Sequence, residues 1–235
     1  MCRKPSLSIL CLLATLLWVT GPVFAQTNHK NSNPGVVPIE GRYAGLSYGE
    51  WSAQWWQWFW SNSTPTSPAL DDTGANAAVG QSGPVWFLTW HLTNPTTVRN
   101  ITVPAGKALL FTATNHDSVF DLPPTASLDE RREAAEDIFQ WISFTAAEVD
   151  GVPIKDLASY RAVSPPYNVT LPPDNIFGAP PGQYGPTFSA GYYILLTPLP
   201  PGQHTIRFTF QFFWPPAGQV LSLDNTYHLT VLPGA

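Results

Sequence analysis

Asn115-His116-Asp117 closes a run of apolar and β-branched residues, and Asp121 follows four positions past Asp117. An imidazole beside carboxylates can act as a general base or hydrogen-bond a sugar hydroxyl. It can also share a divalent metal with Asp117 or Asp121. The simpler reading is a loop in which Asn and Asp side chains bond their own backbone. Glu50 adds a further carboxylate. Paired with Asp71 or Asp72 it would suit glycoside hydrolysis, which needs two carboxyls about 5 to 9 Å apart. His116, Asp117 and Glu50 are therefore the catalytic candidates, and His116, Asp117 and Asp121 the weaker metal candidates; no cofactor is expected from the sequence.

Two other motifs resemble catalytic ones and fail on context. Gly80-Gln-Ser-Gly-Pro84 has Pro84 where a nucleophile elbow needs glycine, and it precedes a strand instead of following one. Asp72-Thr-Gly74 is a single copy of a triplet that acid proteolysis needs twice. Both read as turns. His91, His204 and His228 are scattered through strand-like runs, which predicts outward-facing side chains.

Aromatic side chains are the second kind of chemistry on offer, because an indole or phenol face can stack on a sugar ring. Trp86, Trp90, Trp214, Tyr184 and Tyr192 fall in strands or loops where they can face a ligand, and Trp86, Trp90, Tyr184 and Tyr192, with Asn115, are the candidate ligand contacts. Residues 47–60 hold five of the ten tryptophans, but their spacing points inward. Tyr48, Trp51, Trp55, Trp58 and Phe59 share one arc at 100° per residue, opposite Glu50, Gln54 and Gln57. Ser47-x-x-Glu50 is a capping box. This predicts a buried helix near 47–61, whose indole N–H groups need acceptors from Gln54, Gln57, Glu50 or strand carbonyls. Ser127-x-x-Glu130 is a second capping box and predicts an amphipathic helix near 127–142.

These groups sit in a chain that carries an export signal. Arg3 and Lys4 precede an apolar run from Leu7 to Val19 and a Val23-Phe24-Ala25 cleavage pattern, so residues 1–25 are expected to be removed. That run is shorter than the roughly 20 residues of a membrane span. Both cysteines, Cys2 and Cys11, lie within residues 1–25. The mature chain then has no disulfide, thiol nucleophile or thiolate metal site. The net charge of −5 becomes more acidic once Arg3 and Lys4 are lost, which argues against nucleic acid or anionic lipid as a partner. The expected location is secreted or periplasmic, with a mobile polar leader over 26–41 and a single β-rich domain over 42–235.

Strand signals dominate that domain. Val85–Leu92, Val98–Val103 and Ala108–Thr114 are short β runs that form a meander in the simplest reading. Asp150-Gly151 is a two-residue hairpin turn. The Pro/Gly stretch 172–188 reads as a long loop. Three strands follow it, one alternating Thr205, Arg207, Thr209, Gln211 against Ile206, Phe208, Phe210, Phe212. The fold expected is mainly β, an antiparallel sandwich or jelly roll with two α-helices packed at one edge or end.

The blocks Tyr48-Gly-Glu-Trp-Ser-Ala-x-Trp-Trp-Gln-Trp58, Gly80-Gln-Ser-Gly-Pro-Val-Trp-Phe-Leu88 and Val103-Pro-Ala-Gly-Lys-Ala108 resemble an uncharacterised family of secreted bacterial proteins. The resemblance implies a secreted single-domain protein and carries no activity. The residues themselves point first to a non-catalytic binding protein of the envelope or extracellular space, with a glycan or envelope component as ligand. The alternatives are a hydrolase acting on polysaccharide or ester bonds and a structural envelope protein.

Overall fold

Strands β3 (Ala108–Asp117) and β9 (Ser189–Leu196) are buried along nearly their whole length. A strand apolar on both faces needs a layer on each side, and these two form the centre of the molecule. In this computed structural model the described residues are 33, 35–215 and 218–234. The expected export segment 1–25 lies outside them. They belong to one compact unit, Asn31–Ala235.

With β1 (Val85–Phe87) and β6 (Arg161–Val163), the central strands make a four-stranded sheet in the order β1-β3-β9-β6. One face packs on a five-stranded sheet. Its strands are β2 (Thr96–Val103), β4 (Ile142–Val149), β5 (Val152–Pro153), β10 (Gly202–Trp214) and β11 (Gln219–Val231), in the order β2-β11-β10-β4-β5. Phe111 of β3 stacks on Phe208 of β10 at 5.4 Å across the interface. The alternating burial of β2 is that of a strand with one wet face.

The fold is thus mainly β, and the sheets are mixed. The first three strands form no meander: β1 pairs parallel with β3, and β2 pairs parallel with β11. The chain crosses between sheets after β1 and again after β2, so each returning strand runs in its original direction. The Asp150-Gly151 turn joins β4 to β5 with φ of 51° and 74°, as a type I′ turn requires. The stretch 172–188 is less loop-like than its composition implies, because β8 (Gly182–Thr187) pairs with β7 (Tyr167–Leu171).

The outer face of the four-stranded sheet is covered by α1 (Tyr48–Trp60), which lies on a sheet face and not at an edge. Ser47 and Glu50 close the capping box. Carbonyl and phenol oxygens, not the helix's own glutamines, satisfy four of the helix's five indoles: Trp51 donates to Tyr43, Trp55 to Leu88, Trp58 to Val79 and Trp56 to the Tyr193 hydroxyl. The helix approaches β6 so closely that a Cβ on Gly49 would meet the Val163 carbonyl oxygen at 2.3 Å. The second helical region is α2 (Leu128–Glu136) followed by the short α3 (Ile138–Trp141).

The described part of the leader is docked, contrary to the mobility expected of it. Val36 bridges to Leu196, and Val37 donates to the Leu195 carbonyl at 2.8 Å. The Asn33 amide donates to the Lys155 carbonyl and the Tyr160 hydroxyl. The Val36-Val37 pair supplies the apolar contact that the surrounding polar composition obscures.

Candidate functional site

The two sheets separate where β3 ends and the β10–β11 hairpin turns. Inward-facing Ile206 and Phe208 of β10 are fully buried, whereas Phe212 and Trp214 further along the same face are partly exposed. The space left is a cavity of about 390 Å³. Trp56, Phe59 and Trp60 enter it from the C-terminal half of α1, and Trp90 from the loop after β1. Phe210, Phe212, Trp214, Leu221 and Leu223 come from the hairpin. The end of β3 and the loop beyond it contribute Asn115, His116, Asp117, Phe120 and Asp121.

The rings are locked by one another and by polar anchors. Trp60 packs against Phe120 at 5.3 Å and Phe177 at 4.5 Å, so the two half-exposed phenylalanines are braced by a buried indole. Trp90 donates to Asn115 Oδ1 at 3.0 Å, and the Asn115 amide lies 3.4 Å from the Tyr193 hydroxyl. The buried indole N–H of Trp60 has no hydrogen-bond partner among the described residues.

His116 and Asp121 form the sharpest polar contact in the wall, with Nε2 and Oδ2 2.6 Å apart. The imidazole is flanked by Trp141 at 5.8 Å and Trp214 at 5.7 Å. Asp117, one residue on, points into the protein. It accepts from the Val119 N–H at 2.7 Å, from Thr187 Oγ1 at 3.3 Å and from the Tyr167 hydroxyl. Burial nevertheless raises its carboxyl to about 7, against the Tyr167 and Val119 donors and the neighbouring imidazole. Burial and the adjacent Asp117 likewise raise the Tyr167 phenol, which keeps the proton it donates.

The catalytic candidates divide. His116 and Asp117 share the cavity; Glu50 is not in its wall. Its carboxylate is held by the Ser47 hydroxyl at 2.6 Å, the Ser47 N–H at 2.8 Å and Arg42 at 3.1 Å, and these contacts depress its titration. Among the described residues no three His, Cys, Asp or Glu side chains are arranged to hold a metal ion. The Asp117 oxygens already have partners, and His116 Nε2 already faces Asp121.

The ligand-contact candidates also divide. Trp90 and Asn115 line the cavity. Trp86 is core instead, 6% exposed on a strand covered on both faces. Tyr192 packs on Phe139 at 5.3 Å beside α3, away from the cavity wall. Tyr184 donates to the Pro180 carbonyl and reaches the site only through its ring contact with Phe120 at 5.4 Å.

The two motifs read as turns are turns. Asp71 accepts from the backbone N–H groups of Thr73 and Asn76 and shapes the Asp72-Thr-Gly74 segment. Gln81 bonds both backbone groups of Phe87, and Ser82 is exposed ahead of β1. His91 is not outward-facing: it is 3% exposed, and its Nδ1 accepts from the Thr93 and Asn94 N–H groups.

A larger groove of about 630 Å³ runs along α2, but charged side chains make up most of its wall, and its two arginines, Arg132 and Arg161, are both already drawn to Glu136. The aromatic cavity is the better site because its wall combines apolar surface with few, localised polar groups. No protein-family model and no curated protein matches the chain, so the functional reading rests on this cavity.

Proposed function

We propose that this is an exported binding protein that holds a small organic ligand in the aromatic cavity, and that it is not an enzyme. The observation that carries the reading is the cavity of about 390 Å³, walled by rings from α1 and the β10–β11 hairpin and by a single polar corner. Cavities of this size and character hold small molecules. Export is supported by the signal-like segment 1–25 and by cysteines confined to it.

A glycan end group stacked on Trp90 or Trp214 fits the rings. Its hydroxyls find few free partners, because Asn115 and Asp117 are already engaged. The wall therefore favours a ligand more apolar than a saccharide. Tryptophan fluorescence of the full chain, titrated with a naphthalene-based apolar probe and with a panel of soluble oligosaccharides, tests this directly. Saturable quenching by the probe that is lost in Trp214→Ala is the expected result. No response to any probe would overturn the cavity as a binding site.

The 2.6 Å contact of His116 with Asp121, beside a carboxyl that titrates near neutrality, favours acid–base hydrolysis as the second reading. Turnover of chromogenic esters or glycosides, abolished by His116→Ala, would establish it over the first.

A further inference from the structure

We propose that the group seated in the cavity is an organic cation, specifically an alkylated or quaternary ammonium, caged by the aromatic rings beside Asp121. This rests on the cavity being a binding site. The formally charged side chains in its wall are both carboxylates, and no lysine or arginine of the described residues lines it. The other titratable group there is His116, whose Nε2 is already turned to Asp121. Aromatic faces carry negative potential and attract a cation lying within about 6 Å of the ring centroid. Rings and carboxylates therefore favour the same sign of charge.

The hydrogen-bonding state of the wall narrows the class further. A primary ammonium brings three N–H donors that each need an acceptor. Most of the acceptors nearest to hand are spent, Asn115 Oδ1 on Trp90 and the Asp117 oxygens on Val119, Thr187 and Tyr167. That leaves the Asp121 carboxylate, already met by His116 at Oδ2, which offers too few acceptors for three donors. A quaternary ammonium has no N–H to satisfy and presents methyl groups, which suit Trp56, Phe212 and Trp214. An anion would face the Asp121 carboxylate and ring faces. A neutral alkyl ligand would gain the burial and leave the acidic corner unused.

Isothermal titration of the full chain at about pH 8, where ordinary carboxyls are ionised, with three probes of matched shape tests the proposal. The probes are choline, its neutral isostere 3,3-dimethylbutan-1-ol and the anion 3,3-dimethylbutanoate. Choline is expected to bind at least about tenfold more tightly than the alcohol, as a desolvated cation–π site would produce, with no binding of the anion. Asp121→Asn should shrink the choline-to-alcohol ratio, and Trp214→Ala should weaken both. If the alcohol binds as well as choline, or the anion binds best, the cation is overturned while the cavity still stands as a binding site. If none of the three binds and the apolar probe also fails, both readings fall. The wild-type ratio decides the matter by itself should Asp121→Asn not fold.

Discussion

The Tyr193 hydroxyl accepts the Trp56 indole N–H at 3.1 Å from one side and lies 3.4 Å from the Asn115 amide on the other. Burial raises this phenol to about 12, so it stays protonated. One oxygen on β9 thus positions a cavity ring from α1 and, through Asn115, the cavity ring of Trp90. Tyr193→Phe leaves the Trp56 donor buried without a partner, a loss of about 1 to 3 kcal/mol. Urea denaturation measures the stability, and probe titration should show weaker binding in the same variant.

Trp55 is fully buried, stacks on Phe59 at 5.2 Å and donates to the Leu88 carbonyl at 2.9 Å. Trp55→Ala should cost about 3 to 5 kcal/mol. A melting temperature that stays put, together with lost binding, would make this helix a ligand platform and not a structural layer.

The pH dependence of stability has a defined sign. The folded Asp117 carboxyl titrates at about 7, whereas an unfolded one does so at about 3.9. The native state keeps a proton that the unfolded chain has released, so this group's contribution is fully present below about pH 4 and is lost by about pH 7. Burial is the main cause, with Tyr167, Val119 and His116 opposing it and Asp121 adding to it. The difference in urea midpoint between the wild type and Asp117→Asn should move against the wild type as pH rises across that window.

Glu50 belongs to the helix cap and not to the cavity. Glu50→Gln should leave probe binding unchanged. Ser47→Ala, which removes the cap oxygen, should lower stability by about 1 kcal/mol. Lost binding in Glu50→Gln with an intact fold would return this carboxylate to the site.

Gly151 turns the β4–β5 hairpin at φ 74° with open space around the position of a Cβ. The effect of Gly151→Ala is therefore one of backbone conformation alone, about 1 to 2 kcal/mol of destabilisation. Thermal unfolding should show that loss with no change in ligand affinity.

Local features were legible from the residues: both capping boxes, the inward tryptophan arc and the Asp150-Gly151 turn depend on neighbours within a few positions. Strand partners were not, because alternation tells which face is buried and not what lies across it. The parallel pairing of β2 with β11 has no local mark. The cavity was half legible. Trp90, Asn115, His116, Asp117 and Asp121 were visible as chemistry-bearing types, whereas Phe59, Phe212 and Leu221 look like any core residue until the sheets part around them. Trp86 shows the reverse case, since a tryptophan on a three-residue strand gives no sign of having a layer on both sides.

The parallel pairing of β2 with β11 also has a consequence in time. Residues 96–103 find their partners only at 224–231, and Val36 waits for Leu196. The four-stranded sheet cannot close before Leu196 has been made, nor the five-stranded sheet before β11 (Gln219–Val231). Long-range closure of this kind is slow, so both sheets are expected to form late, once the distant strands have been made.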